Sequence, residues 1–170
     1  MKTLYELYAP ENSPAKIQFR QSIMKAQEEM RQMIEQGELR DCADECVLTH
    51  YFTPIDPEYH CCAYARQIFL PKGSIVIGKI HRHQHLNFLM QGKVSVATEF
   101  GKKYFVAPCV FVSEVGLKRA VYAEEDSIWV TVHLTKYNSE ADLDKIEDEV
   151  IAPDYETLGL AVSENQEILK

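Results

Sequence analysis

Three histidines stand at alternate positions, His81, His83 and His85, in the stretch GKIHRHQHLNFLMQG that spans residues 78–92. The whole chain has six. Neutral imidazole nitrogen binds zinc, iron, nickel and copper, so half of the histidines within five residues point to a metal site. In a strand, side chains at i, i+2 and i+4 share a face, which predicts that all three rings point the same way unless a bulge or bend re-aims one. The competing account is a solvated polar strand. A second strand must complete a coordination sphere, and SIWVTVHLT at 127–135 offers His133. The candidate ligands are His81, His83, His85 and His133.

Other residues frame a ligand pocket. Strand alternation places Trp129, Thr131 and His133 on one face, so Trp129 would line the same cavity. Asn87 faces the expected mouth. Arg119, just past Gly116, has two possible roles besides that of a surface turn. It could hold an anion beside the metal, or it could close the barrel by pairing with Glu99 or Glu114. Cys42, Cys46 and His50 recur at four-residue spacing but lack the paired two-residue gaps of a zinc ribbon, so they read as small thiols and a polar neighbour.

These residues must be carried by strands. From residue 46 the chain alternates β-branched and aromatic runs, at 46–52, 61–70, 74–80, 87–100, 103–112, 119–125 and 127–135. They are separated by turn signals such as PKG, FGKK and EVG. Closely spaced short strands predict an all-β barrel or sandwich, not a parallel α/β sheet. Upstream, residues 13–37 predict an amphipathic helix, with Ser13 as cap, Pro14 in the first turn and Gly37 as stop. Its stripe is Phe19, Ile23, Ala26, Met30 and Met33. Downstream, residues 139–151 predict a short helix ended by Pro153, and residues 159–170 are expected to fray. The divisions expected are a helical arm at 1–45, a barrel at 46–137 and an acidic helix and tail at 138–170.

The charge balance narrows the partners. The chain has 26 acidic against 18 basic residues, a formal charge of -8, and no basic stripe. Nucleic acid and anionic lipid, which bind through Lys and Arg, are disfavoured. No apolar run approaches the ~20 residues of a membrane span. The first residues, MKTLYELYAPENSP, do not read as a secretory signal. With five cysteines, an odd count, the expectation is reduced thiols in the cytoplasm. The narrow, Met-rich helix stripe suits a contact between copies, so a homodimer is expected.

The stretch 78–92 resembles the first motif of the cupin superfamily, where a Gly-led strand brings two His and an acidic ligand, with a Gly in the following turn. Six residues separate that acidic ligand from the Gly; counted back from Gly92, the position is His85. His81 then matches the second His, and Lys79 stands where the first would be. In the second motif, Pro108 and Gly116 match, but Arg119 stands in the usual His position. The resemblance covers roughly residues 60–135. It implies a small cupin-type jelly-roll barrel and makes His81, His85 and His133 the preferred ligands, with His83 as fourth candidate. The metal would be Zn, Fe, Ni or Mn. The chain is also similar to small cupin-like proteins encoded by tailed bacteriophages, which implies a place in the host cytoplasm or the virion. Two functions follow as expectations. One is a binding or assembly protein with a metal or small-ligand site, in contact with virion proteins or a small molecule. The other is a metal-dependent dioxygenase- or isomerase-like enzyme acting on a small anion.

Overall fold

Val94, Val96, Val121 and Ala123 are inward positions of one set of strands, and Leu70, Leu89 and Trp129 are inward positions of another. In the computed structural model, which describes residues 11–163, they interlock as one core. The strands are β1 (Leu48–Phe52), β2 (Cys62–Leu70), β3 (Ile75–Ile77), β4 (Ile80–His81), β5 (His85–Gln91) and β6 (Lys93–Thr98). They continue with β7 (Gly101–Val106), β8 (Cys109–Ser113), β9 (Ala120–Ala123), β10 (Ser127–Thr135) and β11 (Ile151–Ala152). One sheet has the order β1-β2-β10-β5-β8 and the facing sheet β3-β9-β6-β7, with a small β11-β4 pair beside them. Every pairing is antiparallel. Beyond the extra edge strand β1, this is the two-Greek-key order of an eight-stranded jelly roll. Among the described residues there are also two α-helices, α1 (Pro14–Glu35) and α2 (Leu143–Val150), so the all-β class holds for the barrel and not for the whole chain.

Three sequence runs that read as single strands each divide into two. Residues 87–100 turn at Gly92, whose φ is +84°. A Cβ there would lie 2.3 Å from the Ser127 hydroxyl and 2.4 Å from the Asp126 carbonyl, so only glycine lets β6 fold back past the start of β10. Residues 103–112 divide around Pro108, which has no N–H to give a ladder. The run 74–80 is interrupted after Ile77, where the Gly78 N–H donates to the Arg119 carbonyl at 2.8 Å. That break frees β4 to pair with β11 instead.

Helix α1 docks by a different stripe from the one expected. Its buried residues are Lys16, Ile17, Arg20 and Ile23; of the predicted apolar stripe only Ile23 is buried, and Met33 is exposed. The reason is Arg20, which is fully buried. Its guanidinium donates to Glu99 at 2.8 and 3.2 Å, to Asn12 Oδ1 at 3.0 Å and to the Ala161 carbonyl at 3.2 Å. Ser13 holds the cap position with extended backbone, but its hydroxyl makes no cap bond. The second helix is shorter than expected: Ser139 accepts the Ala141 N–H to open a 3-10 turn at 140–142, and α2 follows with Ile146 and Val150 buried. Leu160 and Ala161, expected to fray, are buried. The Ala161 N–H donates to Asn12 at 2.8 Å, so the network around Arg20 holds this end of the chain. Residues 164–170, and most of the stretch weighed as a secretory signal, lie outside the described residues. Among the described residues no helix is long and apolar enough to cross a membrane.

Removing one partner of a buried ion pair leaves the other charge without compensation. Burial already outweighs Arg20 in setting Glu99, whose carboxyl sits above its ordinary range. Arg20→Ala is therefore expected to cost about 3–5 kcal/mol in denaturant unfolding. The double change with Glu99→Ala should recover part of that loss.

Candidate metal centre and anion pocket

Strand β10 lies between β2 and β5, with His133 opposite Tyr64 and Trp129 opposite Leu89. Trp129 is packed into the core. Alternation then turns Thr131 and His133 inward with it. His85 opens β5, and His81 ends the two-residue β4, where it pairs with Ile151. The Gly116 N–H donates to the His81 carbonyl at 2.8 Å, which ties this short strand to the turn before Arg119.

The three rings meet. Ring centroids of His81 and His85 are 4.2 Å apart, His85 and His133 4.6 Å, and His81 and His133 5.0 Å. One ligand nitrogen from each lies within 4.8 Å of the other two. His83 is not part of the group. The chain bends between His81 and His85, the alternation of a regular strand is lost, and the His83 side chain is exposed. Its carbonyl has a role instead: it lies 3.1 Å from His85 Nδ1. A carbonyl only accepts, so Nδ1 carries the proton and Nε2 carries the lone pair. His85 Nε2 is buried and has no hydrogen-bond partner, as is His81 Nδ1. Two buried imidazole nitrogens left without partners, beside a third ring, fit a metal ion held by neutral nitrogen. The alternative trio of Cys42, Cys46 and His50 does not assemble among the described residues. His50 Nδ1 lies 2.8 Å from the Tyr64 hydroxyl, and Tyr64 stacks on His133.

Burial keeps the rings neutral. It pushes His85 and His133 down to about 4. His81, where burial is joined by both other rings facing it, is pushed to about 2. No proton competes with a metal at neutral pH.

His81 also borders a cavity of about 180 Å³, lined further by Arg66, Asn87, Arg119, Trp129 and Thr131 and by an apolar wall that includes Leu70, Val76 and Val121. Arg119 is 8% exposed. Its guanidinium donates to the Ser113 hydroxyl and to Asn87 Oδ1 at 3.5 Å, and lies 5.5 Å from the Trp129 ring centroid. Asn87 Oδ1 also accepts the Trp129 indole N–H at 3.0 Å. The expected pairing of Arg119 with Glu99 or Glu114 does not occur: Glu99 is held by Arg20, and Gln84 donates to Glu114 at 2.6 Å. Among the described residues no carboxylate pairs with Arg119. Burial lowers its pKa to about 10, so it stays cationic at neutral pH.

Arg66 went unnoticed in the sequence. It is two residues after Tyr64 on β2 and pairs in register with Thr131, so alternation from the inward Tyr64 gives the signal that finds it. Lys79, which stands in the motif's first His position, lines the same cavity but is tied to Glu147 at the rim.

Two outcomes test this centre. After incubation with zinc and desalting, the protein and its His83→Ala variant should each retain ~1 metal per chain. The His81→Ala/His85→Ala double variant should retain none. The second concerns pH. The folded values lie below the ~6.5 of an unfolded histidine, so between about pH 4 and 6.5 the unfolded chain binds more protons. Metal-free protein should lose stability as pH falls through that window, and the rings should contribute no pH dependence above it. Urea midpoints from about pH 7 to about pH 5 measure the loss, and His85→Gln should flatten the slope.

No protein-family model matches the chain, and no curated protein matches it. Solved structures similar to it include KdgF from Halomonas sp., 18% identical with a TM-score of 0.39, covering 59% of this chain and 95% of that one. A cupin superfamily protein from Desulfitobacterium hafniense DCB-2 is 10% identical with a TM-score of 0.44, covering 58% and 84%. An acetylacetone dioxygenase from Acinetobacter johnsonii is 18% identical with a TM-score of 0.38, covering 56% and 72%. Cupin superfamily proteins are thus among the solved structures to which this chain is similar.

Proposed function

We propose that this protein is a cupin-type, metal-dependent enzyme that binds a short-chain organic anion beside a transition metal held by His81, His85 and His133. The observation that carries this reading is Arg119, a buried cation with no carboxylate partner among the described residues, in a cavity that reaches a metal-ligand candidate. A buried charge left uncompensated costs several kcal/mol, and an anionic ligand removes that cost. A divalent metal bound there supplies Lewis-acid or redox activation of a ligand oxygen. His81, His85 and His133 would hold such a metal through three protein ligands, whereas a structural site is closed by four.

The chain's own residues bind and orient. Arg119, fixed by Ser113 and Asn87, presents a planar fork that matches a carboxylate. Arg66 adds a second cation on the same lining. Leu70, Val76, Val121 and Trp129 exclude water and suit a short hydrocarbon portion. The volume admits a small acid and not a nucleotide.

A second reading, a barrel that holds metal and anion for recognition or virion assembly without turnover, is favoured by one observation. Among the described residues no Asp or Glu lines the anion cavity, so they offer it no carboxylate for general acid–base work.

Trp129 is the chain's single tryptophan, so its fluorescence reports ligand at this site. In zinc-loaded protein, 2-oxobutanoate should change the emission and the uncharged 2-oxobutanamide should not. Arg119→Ala should weaken binding at least ~10-fold, the effect of losing a charge-assisted hydrogen bond. Binding unchanged in Arg119→Ala rules out the anion role. Carboxylate binding without product formation in iron- or manganese-loaded protein, across a set of short 2-oxo and 2-hydroxy acids, favours the second reading.

A further inference from the structure

The outer face of the five-stranded sheet is as apolar as a core. Strands β5, β8 and β10 lie side by side and contain no Asp, Glu, Lys or Arg, in a chain with 26% charged residues. Register sets Leu86 beside Val112 on one side and Val132 on the other, and Phe88 beside Val110. These side chains point away from the core that Leu89 and Trp129 occupy. Leu134 is 72% exposed, Val110 59% and Met90 58%. Tyr51, on the edge strand β1, extends the patch in register with Ala65. The facing sheet differs, since Lys102 on β7 is exposed.

We infer that this face is the interface between two copies of the chain, packed sheet on sheet about a two-fold axis. Area supports a second copy. From the exposed fractions the patch is on the order of 700 Å², above the few hundred Å² of apolar patch that monomers commonly show and close to the ~800 Å² per partner of a standard interface. Charge supports it too. Two chains of net charge -8 repel through their acidic surfaces, and this face brings no charge to the contact. A basic partner would choose the acidic surface instead. A sheet face can also meet its own copy isologously, as aligned sheets pack ~10 Å apart. The contact excludes helix α1, whose Met24 and Met33 are the exposed apolar residues of the expected dimer stripe or its flank.

Sedimentation velocity of the full chain at micromolar concentration tests this. The wild type should run at twice its 19.6 kDa. Val112→Glu/Leu134→Glu should run as monomer, with a dissociation constant raised at least 100-fold, and Met24→Glu/Met33→Glu should stay dimeric. Should the charged sheet variant fail to fold, amide exchange of wild type decides: β5, β8 and β10 should be slower to exchange at high than at nanomolar concentration. A monomeric wild type overturns the inference, whether the face exchanges fast or is covered by residues 1–10 of its own chain. A sheet variant that remains a dimer overturns it as well, and so does dissociation of the helix variant.

Discussion

The register of β10 between β2 and β5 is the constraint on which the site depends. Side chains alternate with a period of two, so one inward residue fixes every other residue on its strand. Trp129 is that residue. Its ring packs edge-on against Phe111 at 5.3 Å and its indole N–H donates to Asn87. With Trp129 inward, Thr131 and His133 must be inward too, and His133 reaches the end of the barrel where His81 and His85 meet. A slip of one residue would bury Val130 and Val132 and expel His133 from the cluster. The hydrophobic demand of the core thereby positions a polar group some distance along the same strand.

Two buried arginines show how the same cost is met in different ways. Arg20 is surrounded by acceptors from the segment before the helix, the barrel and the chain's late segment, with Glu99 balancing its charge. It functions as a rivet: six oxygens, on Glu11, Asn12, Glu99 and Ala161, are satisfied by one planar group. Among the described residues Arg119 has only neutral acceptors, Ser113 and Asn87, and the face of Trp129. Those contacts fix its direction without neutralising it. Geometry held rigid and charge left open describe a binding group, whereas geometry and charge both satisfied describe a structural one. Arg119 also lowers the pKa values of His81 and His85, so the cation that would hold an anion also helps keep two of the imidazoles unprotonated.

Legibility in the sequence followed the range of the forces involved. Strand β10 spans the run read from its alternation, because local pattern and tertiary burial agree there. His81, His85 and His133 were findable from spacing and one distant strand. His83 was not separable from them, because the bend that turns it outward arises when β4 leaves the sheet to pair with β11, a contact 70 residues away in sequence. The docking face of α1 was misread for a related reason. An apolar-stripe argument assigns arginine to solvent, and the acceptor that reverses this, Glu99, lies 79 residues downstream. Arg66 was overlooked because a charged residue on a strand usually faces water. Only the inward turn of Tyr64 next to it reveals otherwise.

The same alternation that directs Trp129, Thr131 and His133 inward directs Val130, Val132 and Leu134 outward. One strand thus feeds the candidate site with one set of residues and the apolar outer face with the other. A covering layer on that face would do more than hide apolar surface. It would add packing to a strand whose two edges β2 and β5 already hold, and the register of β10 is what sets the distance between His133 and the other two imidazoles. Metal affinity depends on holding ligands to within about half an ångström. Burial of the outer face and order at the metal end are therefore coupled through a single strand, with no need for contact between the two surfaces.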